Sequence, residues 1–185
     1  MNKKIRSVTG DVLPEQFGKT MIHEHVVMDL SHIRQDDDAI LSDSDVMNRE
    51  LQRLKEAGCQ GIVEVTNHGM GRDVESLRRL SERHDLPIVA ATGYYKQEYY
   101  PDDVREQSED AIVDLFVKEL TEGIGETGIR AGIIAEIGSS LNEMTPDERK
   151  VFRAASRAQK QTGAPLSTHC ELGTMGAEQL KLFTE

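Results

Sequence analysis

The sequence is poor in the residue types that would place it in several common protein classes. Of its 185 residues none is Trp, 4% are aromatic and only two are Cys. Cys59 and Cys170 lie too far apart in sequence to build a disulfide framework or a cysteine zinc cluster, which favours a reducing, cytoplasmic compartment. Since no apolar run approaches the roughly 18 residues that a membrane span requires, we predict no membrane partner.

Positive charge is also scarce. Lys and Arg number 22 against 33 Asp and Glu, which gives a formal net charge of −11. A field of this sign repels nucleic-acid phosphates and anionic lipids, so we expect no nucleic acid as a partner. The 37% of hydrophobic and 30% of charged residues are typical of a globular protein, and the length predicts one domain over residues 1–185.

Short β-rich runs alternate with longer amphipathic runs, a pattern typical of βαβ units and a parallel sheet. After a small hairpin within 5–17, we predict five strands, at 19–25, 61–66, 87–91, 131–137 and 165–169. Helix starts are indicated by Ser42 or Asp43, by Ser108, and by Thr145, which opens a capping box. Further helices are predicted at 73–84 and from about residue 174.

Two architectures fit this alternation. The predicted strands start about 36 residues apart on average, so eight units would need about 290 residues, near the roughly 250 typical of a (β/α)8 TIM barrel. On that basis the chain has an α/β fold and forms the N-terminal five βα units of a barrel that is incomplete at its C-terminus. A complete five-stranded doubly wound sheet also fits 185 residues, and periodicity alone does not separate the two.

Three of the predicted strands end in residue types that bind metal ions. His23 and His25 end the first strand, where a period of two points both imidazoles to one face. Glu136 follows an apolar run, where burial without a partner would cost several kcal/mol, and His169 ends the fifth strand. Taken alone, the histidine pair could be two unrelated side chains, and Glu136 could pair with a cation or with the following backbone. Because the carboxyl ends of parallel strands meet at one edge, the combination favours a metal site.

Four segments together resemble the phosphotriesterase-related family of the amidohydrolase superfamily, in the phosphotriesterase homology protein branch. They are His-Glu-His at 23–25, Thr-Gly-Tyr-Tyr at 92–95, Ala-Gly-Ile-Ile-Ala-Glu-Ile-Gly at 131–138 and Ser-Thr-His at 167–169. The resemblance implies two divalent ions, usually zinc, with His23 and His25 on the buried ion and His169 on the exposed ion. It also implies that Glu136 bridges both ions and serves catalysis in that way, where better-known relatives have a carbamylated lysine.

The same resemblance implies a hydrolase in which a hydroxide between the ions attacks an ester. A small-molecule lactone, in particular a phosphorylated sugar lactone, is the expected substrate, and phosphotriester cleavage a minor activity. In the family pattern one more histidine ligand and an aspartate that accepts a proton follow strands six and eight, beyond residue 185. A second hypothesis is therefore a catalytically incomplete chain that binds metal weakly or pairs with a partner supplying the missing strands. Homo-oligomerisation stays open.

Several other residues near the predicted strand ends carry weaker signals. We expect His68 to be a solvated loop histidine, and Arg72 to be either an anion contact or a surface charge. Tyr94, Tyr95 and Lys96 follow the third strand and either line a substrate mouth or lie on an exposed loop. Cys170 follows His169 and should point away from it, as a packed thiol.

Overall fold

The fold is seen in a computed structural model that describes residues 4–184. The strands are β1 Ile5–Ser7, β2 Gly10–Val12, β3 Thr20–Glu24, β4 Met28–Asp29, β5 Ile40–Leu41, β6 Gly61–Glu64, β7 Ile88–Val89, β8 Ala91–Thr92, β9 Ile133–Ser139 and β10 Leu166–Cys170. The α-helices are α1 Pro14–Phe17, α2 Ser31–Arg34, α3 Asp45–Glu56, α4 Val74–His84, α5 Glu109–Thr121, α6 Pro146–Thr162 and α7 Gly176–Thr184. Among the described residues, none of these helices is both long and apolar enough to cross a membrane.

The order of the parallel strands decides between the two architectures. β3 pairs with β6, β6 with β7, β8 with β9, and β9 with β10. The predicted third strand is present as two short pieces, β7 and β8, interrupted at Ala90, and each piece pairs with a different neighbour. The described sheet therefore follows chain order throughout and contains no point at which the order reverses. A doubly wound sheet requires such a reversal, so this alternative is wrong and the wall of a (β/α)8 barrel is confirmed.

Local capping signals explain where most helices begin. Thr145 and Glu148 form the predicted capping box at the start of α6, and Gly163 ends that helix in the left-handed region at φ 71°. Ser108 caps α5 as predicted. The predicted cap of α3, Ser42 or Asp43, was wrong by one or two positions. The capping residue is Ser44, whose hydroxyl accepts a hydrogen bond from the Met47 N–H.

The glycine-rich segment 123–128 reads G-x-G-x-x-G, a spacing that nucleotide-binding folds also use. A nucleotide loop of that kind joins a strand to the start of a helix. Here the segment follows helix α5 and leads towards strand β9, and Gly123 and Gly128 pack backbone against backbone. The structure therefore makes it a tight turn that joins a helix to a strand.

Most of the buried apolar residues form two layers, one on each face of the sheet. The main core lies between the sheet and the helices and contains the large buried side chains Phe116, Phe152 and Ile62. A smaller cluster on the opposite face of the sheet, the inner surface of the barrel, contains Val65, Ala91 and Ala135. This alternation follows from the period of two along each strand, which sends successive side chains to opposite faces.

His68 was predicted to be solvated, and Arg72 to be an anion contact or a surface charge; both instead lie against a carboxylate of this chain, that of Glu119. The Arg72 side chain is only 7% exposed and donates through both terminal nitrogens to the Glu119 carboxylate on α5, at 2.9 Å for each bond. The partly buried His68 imidazole lies 2.9 Å from the same carboxylate. The turn that carries both residues lies against the 97–99 segment, and a Cβ on Gly69 would meet the Tyr99 carbonyl oxygen at 1.8 Å. The cluster thus holds the loop after β6 onto α5.

Glu119→Gln should destabilise the fold because it leaves the buried Arg72 guanidinium without its carboxylate. Breaking one partner of a buried pair costs about 3 to 5 kcal/mol, and we expect a loss of that size in urea unfolding. The matched control is Glu122→Gln, an exposed position near the C-terminal end of the same helix, which should change stability by less than about 0.5 kcal/mol. Equal stabilities for the two variants would contradict the structural role of the pair.

Acid unfolding tests the same pair independently. Burial of Glu119 opposes its charge, but the bonds from His68 and Arg72 outweigh this and lower its pKa from 4.5 to about 2. A depressed carboxyl pKa stabilises the fold fully above pH 4.5, and the stabilisation is lost as the pH falls towards 2, by about 3 kcal/mol for this group. Glu119→Gln should therefore lose correspondingly less stability over this pH interval than the parent chain.

Candidate metal centre

The first strand of the barrel wall presents two imidazoles at its carboxyl end. His23 lies within β3 and His25 one residue past its end, with ring centroids 5.9 Å apart and the rings edge to face. His23 is the more exposed of the two. Burial lowers the pKa of His25, and the neighbouring His23 and His169 lower it further against the opposing charge of Glu136, so its imidazole is neutral near pH 7.

Glu136 lies in β9 and is the carboxylate on which the cluster centres. It is 4% exposed. His23 Nε2 lies 3.3 Å from Oε1, and His25 Nε2 lies 3.5 Å from Oε2. Burial raises the pKa of Glu136, but the hydrogen bond from His169 and the three neighbouring imidazoles outweigh burial, and the net shift is downward. The carboxyl group is therefore held as an anion.

His169 in β10 completes the group. Its Nδ1 lies 2.9 Å from Glu136 Oε1, and its Nε2 lies 3.0 Å from the Tyr95 hydroxyl. The structure thus brings together all four residues that the sequence predicted as ligands, from the first, fourth and fifth strands of the wall. His23, His25 and Glu136 offer ligand atoms that all lie within 4.8 Å of one another, close enough to share a metal ion.

The donor set suits a divalent cation. Among residues 4–184, the ion-pair partners of Glu136 are the three histidines alone, and neither Lys nor Arg lies within pairing distance. Neutral imidazole nitrogens and a carboxylate are the ligands that zinc takes most readily after thiolate, and manganese and cobalt accept them as well. A metal ion would supply the positive charge that neither Lys nor Arg brings to this buried carboxylate.

The segment after the third strand separates into buried and site-facing residues. Tyr94 is only 2% exposed and packs in the main core against Phe116, so neither reading of it as a mouth or loop residue holds. Tyr95 does face the site, with its ring 4.8 Å from that of His169. Lys96 forms an ion pair with Glu171 and lies over the Tyr95 ring. Tyr95 and Lys96 together form a rim of the site beside His169.

Sequence reasoning missed the residues behind His25. Its Nδ1 lies 2.9 Å from the Thr66 hydroxyl, which in turn donates to the Glu64 carboxyl at 2.5 Å. Glu64 is fully buried, and burial raises its pKa to about 8 against the hydrogen bonds that it accepts. The only sequence signal is a glutamate inside the otherwise apolar strand predicted at 61–66.

Consecutive βα units with an imidazole and carboxylate cluster at the carboxyl ends of the strands define the class as a barrel protein with a candidate site at that end. A model of the Phosphotriesterase family matches residues 3–185, and the chain belongs to this family. The predicted resemblance is therefore confirmed.

Individual relatives agree with this assignment. The phosphotriesterase homology protein of Escherichia coli is 39% identical over 166 residues, covering 90% of this chain and 57% of that protein. An N-acetyltaurine hydrolase of Tetraodon nigroviridis is 32% identical over 199 residues, covering 91% of this chain and 57% of the relative. The crystal structure of a lactonase from Listeria monocytogenes superposes with a TM-score of 0.92 at 29% identity, covering 98% of this chain and 61% of that one. The chain thus spans somewhat more than half the length of the proteins it matches.

Proposed function

We propose that His23, His25, Glu136 and His169 hold two divalent cations, most naturally zinc, and that the whole protein is a metal-dependent hydrolase of small esters. A single observation carries this proposal, namely one buried carboxylate whose oxygens face three imidazoles and no cationic side chain. Membership of the Phosphotriesterase family, whose relatives include hydrolases by name, supports it.

The two oxygens of Glu136 face different imidazoles, as a bridging carboxylate requires. Oε1 lies nearest to His23 and His169, whereas Oε2 lies nearest to His25. Glu136 would lie between two ions held by these imidazoles, and its negative charge would reduce their mutual repulsion. It would serve catalysis as this bridge, with His23 and His25 on the buried ion. His169, which contacts Tyr95 at the rim, would hold the more exposed ion.

A divalent pair in this position would lower the pKa of a coordinated water towards neutrality and polarise the carbonyl oxygen of a substrate. The chain's own residues orient that chemistry. The β3 and β10 imidazoles fix the site at the strand ends, and the Tyr95 ring borders it on the β10 side.

Cys59 and Cys170 are free thiols, as expected for the reducing cytoplasm that we propose as the location of the protein.

We propose a lactone as the first substrate class, with a phosphorylated sugar lactone as its specific form. A solved structure described as a lactonase, at 29% identity, and one engineered from a lactonase template, at 34% identity, support this class. An amide is the second candidate, because relatives at 32% and 30% identity are named N-acetyltaurine hydrolases. Both classes share attack at a carbonyl carbon, and the same metal pair would serve both.

Glu136→Gln should reduce bound metal and abolish most hydrolysis. Replacing one carboxylate oxygen by an amide nitrogen removes a ligand for one ion, so we expect at least one zinc ion fewer per chain by elemental analysis of the whole protein. Glu143→Gln is the control, because Glu143 is exposed in the loop after the same strand. Equal metal content and equal turnover in the two variants would show that Glu136 is not a bridging ligand.

Kinetics on the zinc-loaded whole protein distinguishes the substrate classes. We expect a higher kcat/KM for a sugar lactone than for N-acetyltaurine or a phosphotriester, and loss of all three activities in Glu136→Gln. A higher value for N-acetyltaurine would transfer the proposal to amide hydrolysis. Metal-loaded protein that hydrolyses none of them would refute the hydrolase proposal and favour a chain that only binds metal.

A further inference from the structure

A buried chain of hydrogen bonds reaches His25 from behind. Thr66 lies just past the end of β6 and is fully buried, and its hydroxyl lies between two partners. On one side is the Glu64 carboxyl oxygen Oε1 at 2.5 Å, and on the other is His25 Nδ1 at 2.9 Å. Both contacts lie within hydrogen-bond distance, so the hydroxyl joins the carboxyl group to the imidazole.

The direction of this chain follows from the surroundings of Glu64. The backbone N–H of Val26 donates to its Oε1, and the backbone N–H of Thr66 donates to its Oε2. These groups can only donate, so each carboxyl oxygen accepts at least one hydrogen bond. When Glu64 is ionised, above its pKa of about 8, neither oxygen carries a hydrogen. The Thr66 hydroxyl then gives its single hydrogen to Glu64 and presents only lone pairs to His25.

This leaves one arrangement for a neutral His25. Its Nδ1 must carry the hydrogen, because the Thr66 oxygen that faces it can only accept. A neutral imidazole has one N–H, so Nε2 has a free lone pair. Nε2 is the nitrogen that faces Glu136 Oε2, at 3.5 Å, on the side of the candidate metal centre.

We propose that Glu64 and Thr66 are positioning residues that hold His25 in the tautomer with a free Nε2, ready to bind a metal ion. The inference rests on the metal centre proposed above. Hydrogen bonds from the second nitrogen of a ligand histidine fix its ring and its tautomer, and their loss typically weakens metal binding about 10-fold to 100-fold.

The neighbouring strand offers a matched control. Pairing of Ile62 with Ile88 and of His68 with Tyr94 follows one register, in which Thr92 is the counterpart of Thr66. Thr92 is also fully buried, yet its hydroxyl has no hydrogen-bond partner among the described residues. Replacing either threonine by valine removes the same atom from a buried strand end, but only Thr66→Val interrupts the chain to His25.

Zinc affinity of the full chain, measured by competition with a chromophoric chelator above the pKa of Glu64, is the first test. We expect Thr66→Val to bind zinc about 10-fold to 100-fold more weakly than the parent. Thr92→Val should bind like the parent, and Thr66→Ser, which keeps the hydroxyl, should restore binding. Equal affinities for Thr66→Val and Thr92→Val would overturn the inference.

The tautomer itself is the second test and does not depend on metal binding. Nitrogen-15 chemical shifts of metal-free protein, measured above the pKa of Glu64, should show His25 with a protonated Nδ1 in the parent and a mixture of tautomers in Thr66→Val. A parent that binds no zinc but shows this tautomer would refute the metal centre and leave the positioning role intact. A parent with a protonated Nε2 would refute the positioning role whatever the zinc affinity.

Discussion

A carboxylate taken out of water at Glu136 is the constraint around which the carboxyl end of the barrel wall is organised. Desolvation alone costs several kcal/mol and must be offset by neighbouring groups. Because β9 has a paired strand on each side, the groups that can reach Glu136 come from the ends of other strands. The side chains there are the imidazoles of His23, His25 and His169. Because imidazoles can bind a metal ion, the cluster is a candidate binding site, whereas Lys or Arg in the same places would form a simple ion pair.

Three of the four glutamates that are buried in the described part of the chain show how the partner decides the role. Glu119 is held by the Arg72 guanidinium, which is always charged, so the pair is permanent and fastens a loop to a helix. Glu64 is held by backbone N–H groups and the Thr66 hydroxyl, and through that hydroxyl it orients the His25 ring. Glu136 faces imidazoles, which in their neutral form offer a lone pair to a cation. Only the third environment calls for a positive charge from outside the chain.

The two ends of the wall have different tasks. At the amino end, the β1–β2 hairpin bonds to the third strand through the Val8 N–H and the Ile88 carbonyl, at 2.8 Å. Close packing continues at Gly132, where a Cβ would meet the Arg6 carbonyl oxygen at 2.5 Å. These contacts lie at the opposite end of the strands from the candidate site. Substitutions at the amino end should thus affect stability and leave the site chemistry alone, as is general for barrels of this type.

The sequence by itself determined the five βα units, the capped starts of α5 and α6, and the four residues that converge on the candidate metal centre. These features are local, since periodicity, caps and strand ends depend on residues a few positions apart. Only the tertiary structure decided the strand order, the break at Ala90, the burial of His68 against Glu119, and the link from Glu64 through Thr66 to His25. Each of these depends on contacts between residues far apart in the chain, and burial changes the preferred partner of a polar group in a way that its sequence neighbours do not reveal.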